Sequence, residues 1–280
     1  MKKEIWESII DYMPIINYPT LPCPYCKEDT LNLEIENVIY RKVTCDKTSS
    51  LIQKETLQRA KEVTDIFEKN QLAGVFFGIL SVVEHKNKIP SKFIGFLSCS
   101  NCSGQVSATG TAQFITNNAA NTKEPLPHPI KIEYFSPPIP IFNVSDNVPK
   151  EIFSEVLQAF NHFHSDLNSS GAKLRHAIEK ICAELGYKEK NLHATITSMT
   201  KNFPKEAKHL HSIKLLGNEA SHAGGVEEED LLNAFAVLEY VLGVFDRIKE
   251  EEALNLNSNK LIEKFDKKAS TKQIAQRTVV

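Results

Sequence analysis

Hydrophobic residues alternate with polar ones in short runs through the first half of the chain, and recur at three- and four-residue spacing through the second. Ile5, Trp6, Ile9 and Ile10 open an amphipathic turn that prolines 14 and 19 end, with Trp6 as a packing anchor. Leu31, Leu33 and Ile35 then alternate as a strand does. Residues 51–70, LIQKETLQRAKEVTDIFEKN, return Leu51, Leu57, Ala60, Val63, Ile66 and Phe67 at helical intervals, and GVFFGILSVV and KFIGFL follow as two strands. Residues 117–148 carry Asn-rich turns and a run of prolines that rule out long regular structure, apart from a strand at IKIEYF, so the segment is expected to be a linker.

Past Pro149 the pattern is helical throughout. Five helices are expected: EIFSEVLQAFNHFHSDL, then GAKLRHAIEKICAELG after an NSSG break and stopped by Gly186. The third spans Leu192–Asn202, the fourth runs from Lys205 to Gly224, and the last from Glu227 to about Lys249 with four acidic residues at its N-terminus. In that last helix Leu231, Phe235, Leu238, Leu242 and Phe245 make a near-heptad stripe, widened by Ala234, Val237, Val241 and Val244. So wide a stripe is buried on more than one side, within the bundle or against a second copy. The polar remainder, 250–280, reads as a frayed helix leading into disorder.

The pattern therefore predicts an α+β chain: a β-rich module over 1–116 with a helical insertion at 51–70, a linker, and an all-α bundle over 149–249. At 280 residues and 41% apolar content there is enough chain for two cores. The net charge of −2 is spread evenly, with 15 basic and 16 acidic residues before Asn147 and 18 and 19 after it. A broad basic surface for nucleic acid is thus excluded. No apolar run is long enough to span a bilayer and no secretory core is present, which predicts no membrane association and a cytoplasmic location.

In such a location cysteines serve more often as metal ligands than as disulfides. Cys23 and Cys26 are separated by two residues and lead into a strand; Cys99 and Cys102 repeat the spacing after 72 intervening residues. Two such turns supply four thiolates, the closed tetrahedral set of a structural Zn²⁺ site, and the insertion must return to its starting place to bring them together. Cys45 and Cys182 are expected as small buried side chains. His162, His164, His209 and His211 lie two apart in each pair, which on a helix turns them to nearly opposite sides, so solvated rings are expected rather than a second metal site.

The richest polar stretch is HSIKLLGNEASH, which places Lys214, Asn218 and His222 along one helix face. Preceded by GAKLRHAIEKI and followed by DLLNAFAVLEYVLGVFD, it resembles the bacterial family called domain of unknown function four-one-four-five, a helical group related to the HEPN superfamily. The resemblance covers residues 145 to about 249. It rests on Arg175 and Glu179 one turn apart, and on Gly217 and Asn218 with His222 four residues on. It implies a HEPN-like bundle that dimerises, and a recognition or accessory role, with a nucleic-acid or protein partner, in a prokaryotic defence or restriction-type system.

HEPN ribonucleases carry Arg, a polar residue such as Asn, and a His some four residues on. Asn218 and His222 match, while Gly217 stands at the arginine and Lys214 is the nearest cation before it. The resemblance thus implies, as an alternative, a metal-independent endoribonuclease in which His222 moves the proton, assisted by Asn218 and Lys214. A third reading is a structural scaffold. There His222 caps a helix, and Arg175 either pairs with Glu179 or reaches Glu219 on the neighbouring helix.

Overall fold

The structure, a computed structural model, describes residues 1–43, 88–115, 128–221 and 225–277, with backbone alone at 88–90, 114–115 and 266–277. The helix expected at 51–70, the strand expected in GVFFGILSVV, Cys45 and His222 lie outside the described residues. The chain divides into two units: Lys2–Ile141 with Phe160–Asp166, and Met1 with Phe142–Ala159 and everything from Leu167 on. The architecture is mixed α+β, strands first and helices after, as the pattern predicts. No described helix is long and apolar enough to cross a membrane.

The first unit is an antiparallel sheet behind a short helix, α1 (Lys3–Ser8). Its strands are β1 (Met13–Pro14), β2 (Leu31–Leu33), β3 (Ile39–Lys42), β4 (Lys88–Cys99), β5 (Gln105–Ile115) and β6 (Pro129–Ser136). They run in the order β1-β6-β5-β4-β2, and β3 also pairs with β4. Strands β4 and β5 pair from Lys88↔Ile115 to Ser98↔Gln105, leaving 99–104 as the turn. Alternation buries Phe93, Leu97, Val106, Ala108, Ala112, Ile130 and Ile132 on one face. Between Thr109 and Gly110 the β5–β6 register shifts, so the buried set on β6 continues at Phe135 rather than Tyr134. Trp6 fills the core beside this face and donates from Nε1 to the Ile141 carbonyl at 3.0 Å.

Part of the segment expected as a linker is thus built into this unit: residues 129–136 are β6, and Ile139 and Ile141 are buried. Apolar residues between the prolines give the segment a core to join. His164 departs from expectation in the same way. Its ring is packed rather than solvated, 5.9 Å from Trp6, 5.2 Å from Phe135 and 4.9 Å from Phe163 between centroids.

The helices are α2 (Lys150–Phe163), α3 (Leu167–Glu184), α4 (Leu192–Met199), α5 (Pro204–Ser221) and α6 (Glu228–Arg277). The expected stripe on α6 is in place, with Leu231, Ala234, Phe235, Leu238, Val241, Leu242, Val244 and Phe245 buried and Val237 half-buried. Asn191 caps α4 by accepting from the Ala194 amide at 2.9 Å. Gly186, with φ of 85°, stops α3 as predicted.

Two helices are longer than their sequence signals suggest. Helix α3 runs through Asn168–Gly171, the expected break, because the small residues there serve packing. Ser170 Oγ donates to the Ala159 carbonyl at 2.8 Å, and a Cβ on Gly171 would come within 2.6 Å of Ala220 Cβ on α5. Helix α6 continues past Lys249 to Arg277 rather than fraying, in a stretch that contains neither glycine nor proline.

Candidate metal centre

The first knuckle, residues 22–30, is closed by the bridge Leu21↔Leu31. The second is the β4–β5 turn. They are neighbours because β2 pairs with the end of β4, placing Leu31 opposite Cys99 and Leu33 opposite Leu97. The Ser100 amide also donates to the Thr30 carbonyl at 3.0 Å. Register brings the two cysteine pairs together across the 72 residues that separate them in sequence.

The knuckles repeat each other bond for bond. The Cys23 amide donates to the Glu28 carbonyl at 2.8 Å, and the Cys99 amide to the Gly104 carbonyl at 2.9 Å. Lys27 donates to the Cys23 carbonyl and Ser103 to the Cys99 carbonyl, and each of these two residues follows its second cysteine in the left-handed region, at φ of 64° and 59°. One tight turn built twice aims each cysteine pair at a common point.

At that point all four Sγ atoms lie within 4.8 Å of one another. Cys23 and Cys102 are 3.7 Å apart and Cys26 and Cys99 3.6 Å, far beyond a disulfide bond. Among the described residues this is the group placed to hold a metal ion. The Thr30 hydroxyl, 3.0 Å from Cys99 Sγ, is the first cause that pulls that thiol down to about 6. Cys26 is lowered by the Glu28 backbone and the Asn101 side chain. At Cys102 a bond with the Gly104 backbone lowers the thiol, but burial and the thiols of Cys99, Cys23 and Cys26 push it up to about 12. Thiolates this close repel one another until a cation lies between them. No spacing rule points to Thr30; its place at the mouth of the knuckle becomes visible only once β2 is paired.

The second set of predicted residues lies where α3 crosses α5. A Cβ on Gly217 would meet Arg175 Cβ at 2.8 Å and the Gly171 carbonyl oxygen at 3.2 Å, so the two helices touch backbone to backbone. Arg175 Nη1 donates to Asn218 Oδ1, and its Nε lies 3.4 Å from Glu179 Oε1. The expected reach of Arg175 to Glu219 is therefore replaced by a bond to Asn218, and Glu219 is exposed. Lys214 is half-buried one turn before Asn218. Cys182 is buried on α3 as expected, and burial pushes its thiol up to about 12.

Two ion clusters leave no signal in the sequence. Glu155, mostly buried on α2, meets Lys180 at 2.8 Å and Lys173 at 3.3 Å, and these hold its carboxyl below the usual range, Lys180 first. Glu206, buried on α5, meets Arg247 of α6 at 2.6 Å. Both join residues from different helices, beyond the reach of one-turn spacing.

No curated protein and no solved structure matches the chain. Residues 155–274 match the family described as Domain of unknown function (DUF4145). The match begins within α2 and takes in all of α3, α4 and α5 and nearly all of α6. The chain thus joins a zinc-ribbon-like module with four clustered cysteines to a C-terminal region that matches the DUF4145 family model over residues 155–274.

Proposed function

We propose that Cys23, Cys26, Cys99 and Cys102 hold one structural Zn²⁺, and that the zinc-held module makes the protein a recognition or accessory component of a prokaryotic defence or restriction-type system. Support for the metal comes from geometry. Tetrahedral thiolates at about 2.3 Å from Zn²⁺ stand about 3.8 Å apart, and two of the sulfur pairs here are 3.6 and 3.7 Å apart. With no fifth ligand position, the ion would tie the two knuckles together and leave chemistry to other residues.

The observation that carries recognition is the outward face of the sheet. Register sets Tyr134, Thr109, Ile94 and Ile39 in one row across four strands, and Lys131, Thr111, Lys92 and Arg41 in a second. Tyr134 is 52% exposed, Ile94 50% and Ile39 67%, with Phe96 on the same face. An apolar row beside a basic one suits bases with their phosphates, or a protein surface of like pattern. The test is filter binding of single- and double-stranded RNA and DNA at low salt, with Tyr134→Ala and Arg41→Ala. Binding weakened by both variants supports a nucleic-acid partner, and absence of binding to every probe points to a protein partner. A cytoplasmic location and dimerisation through the C-terminal helices belong to the same reading.

A second reading, the endoribonuclease, is favoured by one contact. Arg175 reaches Asn218 from α3, so a guanidinium stands beside the motif although Gly217 occupies the arginine position. His222 would move the proton, assisted by Asn218 and Lys214, and Arg175 would supply the cation. It predicts RNA cleavage with 2′,3′-cyclic phosphate ends that His222→Ala abolishes without lowering the melting temperature; activity that survives the change rejects it.

A further inference from the structure

From Lys249 to Phe265 every residue of α6 is exposed, although five of them are large and apolar. Leu254, Leu256, Leu261, Ile262 and Phe265 are 54 to 67% exposed. Leu254, Ser258, Leu261 and Phe265 follow at intervals of four, three and four, the seam of a two-stranded coiled coil, and Ile262 widens it. The middle of this stretch, Asn255 to Asn259, is poor in helix formers, and a lone helix of such composition is marginal in water. An extended helix with this seam calls for a partner strand.

Charge says which partner. The stretch opens with Glu250, Glu251 and Glu252, whereas from Lys264 to Arg277 there are five basic residues and the single acid Asp266. Two copies side by side in the same direction would set acid on acid and base on base. Laid antiparallel, the acidic start of each faces the basic end of the other. The register that aligns the charges also aligns the seam: Leu254 falls opposite Phe265 of the second copy, Ser258 opposite its Leu261, and position 251 opposite 268.

We propose that this distal part of α6 pairs with the same segment of a second copy as an antiparallel two-stranded coiled coil. The seam of Leu254 to Phe265 is separate in sequence from the buried stripe of Leu231 to Phe245.

The test uses the full-length protein in sedimentation velocity over a wide concentration range. The expected result is a monomer–dimer equilibrium that weakens with added salt. Leu261→Glu with Phe265→Glu makes the protein monomeric, and its unfolding midpoint equals that of the wild type at dilutions where the wild type is also a monomer, because neither side chain is buried within one copy. Changing Glu250, Glu251 and Glu252 to Lys weakens self-association at least about tenfold, and so does changing Lys264, Lys267 and Lys268 to Glu; mixing the two variants restores pairing. A monomer at every concentration overturns the proposal and assigns the face to another occupant. A dimer that survives Leu261→Glu with Phe265→Glu also overturns it, by placing the contact elsewhere. Charge variants that associate like the wild type contradict the antiparallel arrangement.

Discussion

Gly217 and Arg175 stand so close that a Cβ on the glycine would lie 2.8 Å from Arg175 Cβ. That is backbone-level contact, and neither Arg175 Cβ nor the Gly171 carbonyl 3.2 Å away is the loose end of a side chain. Gly217→Ala therefore pits a gain of about 1 kcal/mol in helix propensity against overpacking of about 1–3 kcal/mol. The expected outcome is net destabilisation, read as a lower urea midpoint for the helical domain. A stabilised variant would show that the crossing can relax. Gly217→Arg is expected to separate α3 from α5 and to create no ribonuclease.

Thr30 offers a finer probe of the metal centre. Its hydroxyl is 3.0 Å from Cys99 Sγ and favours the thiolate. Thr30→Val keeps the shape and removes the hydrogen bond, so affinity for Zn²⁺ should fall about tenfold with stoichiometry unchanged. Competition with a chromophoric chelator measures it, and equal affinities would mean that the hydroxyl does not orient the ligand.

His164 makes the stability of the sheet unit depend on pH. Burial among aromatic rings, helped by the charge of Lys131, lowers it from 6.5 to about 3. The unfolded chain therefore binds a proton that the folded chain refuses. Stability is full above about pH 6.5 and falls as pH drops toward 3, by at most about 1.4 kcal/mol per pH unit. Urea titrations at several pH values, followed by the fluorescence of Trp6, the chain's one tryptophan, should show this slope. His164→Phe should flatten it, and an unchanged slope would assign the dependence to other groups.

Arg247 neutralises a carboxylate that the fold has removed from water. Glu206 is 7% exposed and 2.6 Å from the guanidinium, which also lies over the Tyr240 ring. Arg247→Met keeps the apolar stem and leaves Glu206 unpaired, at a cost of about 1–3 kcal/mol. Adding Glu206→Gln should recover part of the loss, and chemical denaturation of the single and double variants reads the coupling.

The cysteine pairs were legible because metal binding needs only local spacing at each turn. What joins the turns, Leu31 opposite Cys99, was not, since β2 is three residues long and its partner is far away in sequence. Helix periodicity and the stripe on α6 were equally plain. Small residues mislead where a helix packs on them: Asn168–Gly171 reads as a break because such residues favour turns when nothing packs on them, and here a neighbouring helix does. Gly217 misleads in the same way. By motif it is a missing arginine; in the fold it is the clearance that lets α3 and α5 touch.

A Zn²⁺ ion held by Cys23, Cys26, Cys99 and Cys102 is tested most directly by elemental analysis of protein purified without chelator. The predicted result is one zinc per chain, reduced to a small fraction by Cys23→Ser with Cys99→Ser and left intact by Cys182→Ser, whose thiol is buried on α3. Clearly less than one metal ion per chain in the wild-type protein, or zinc retained in full after loss of both knuckle cysteines, would contradict it.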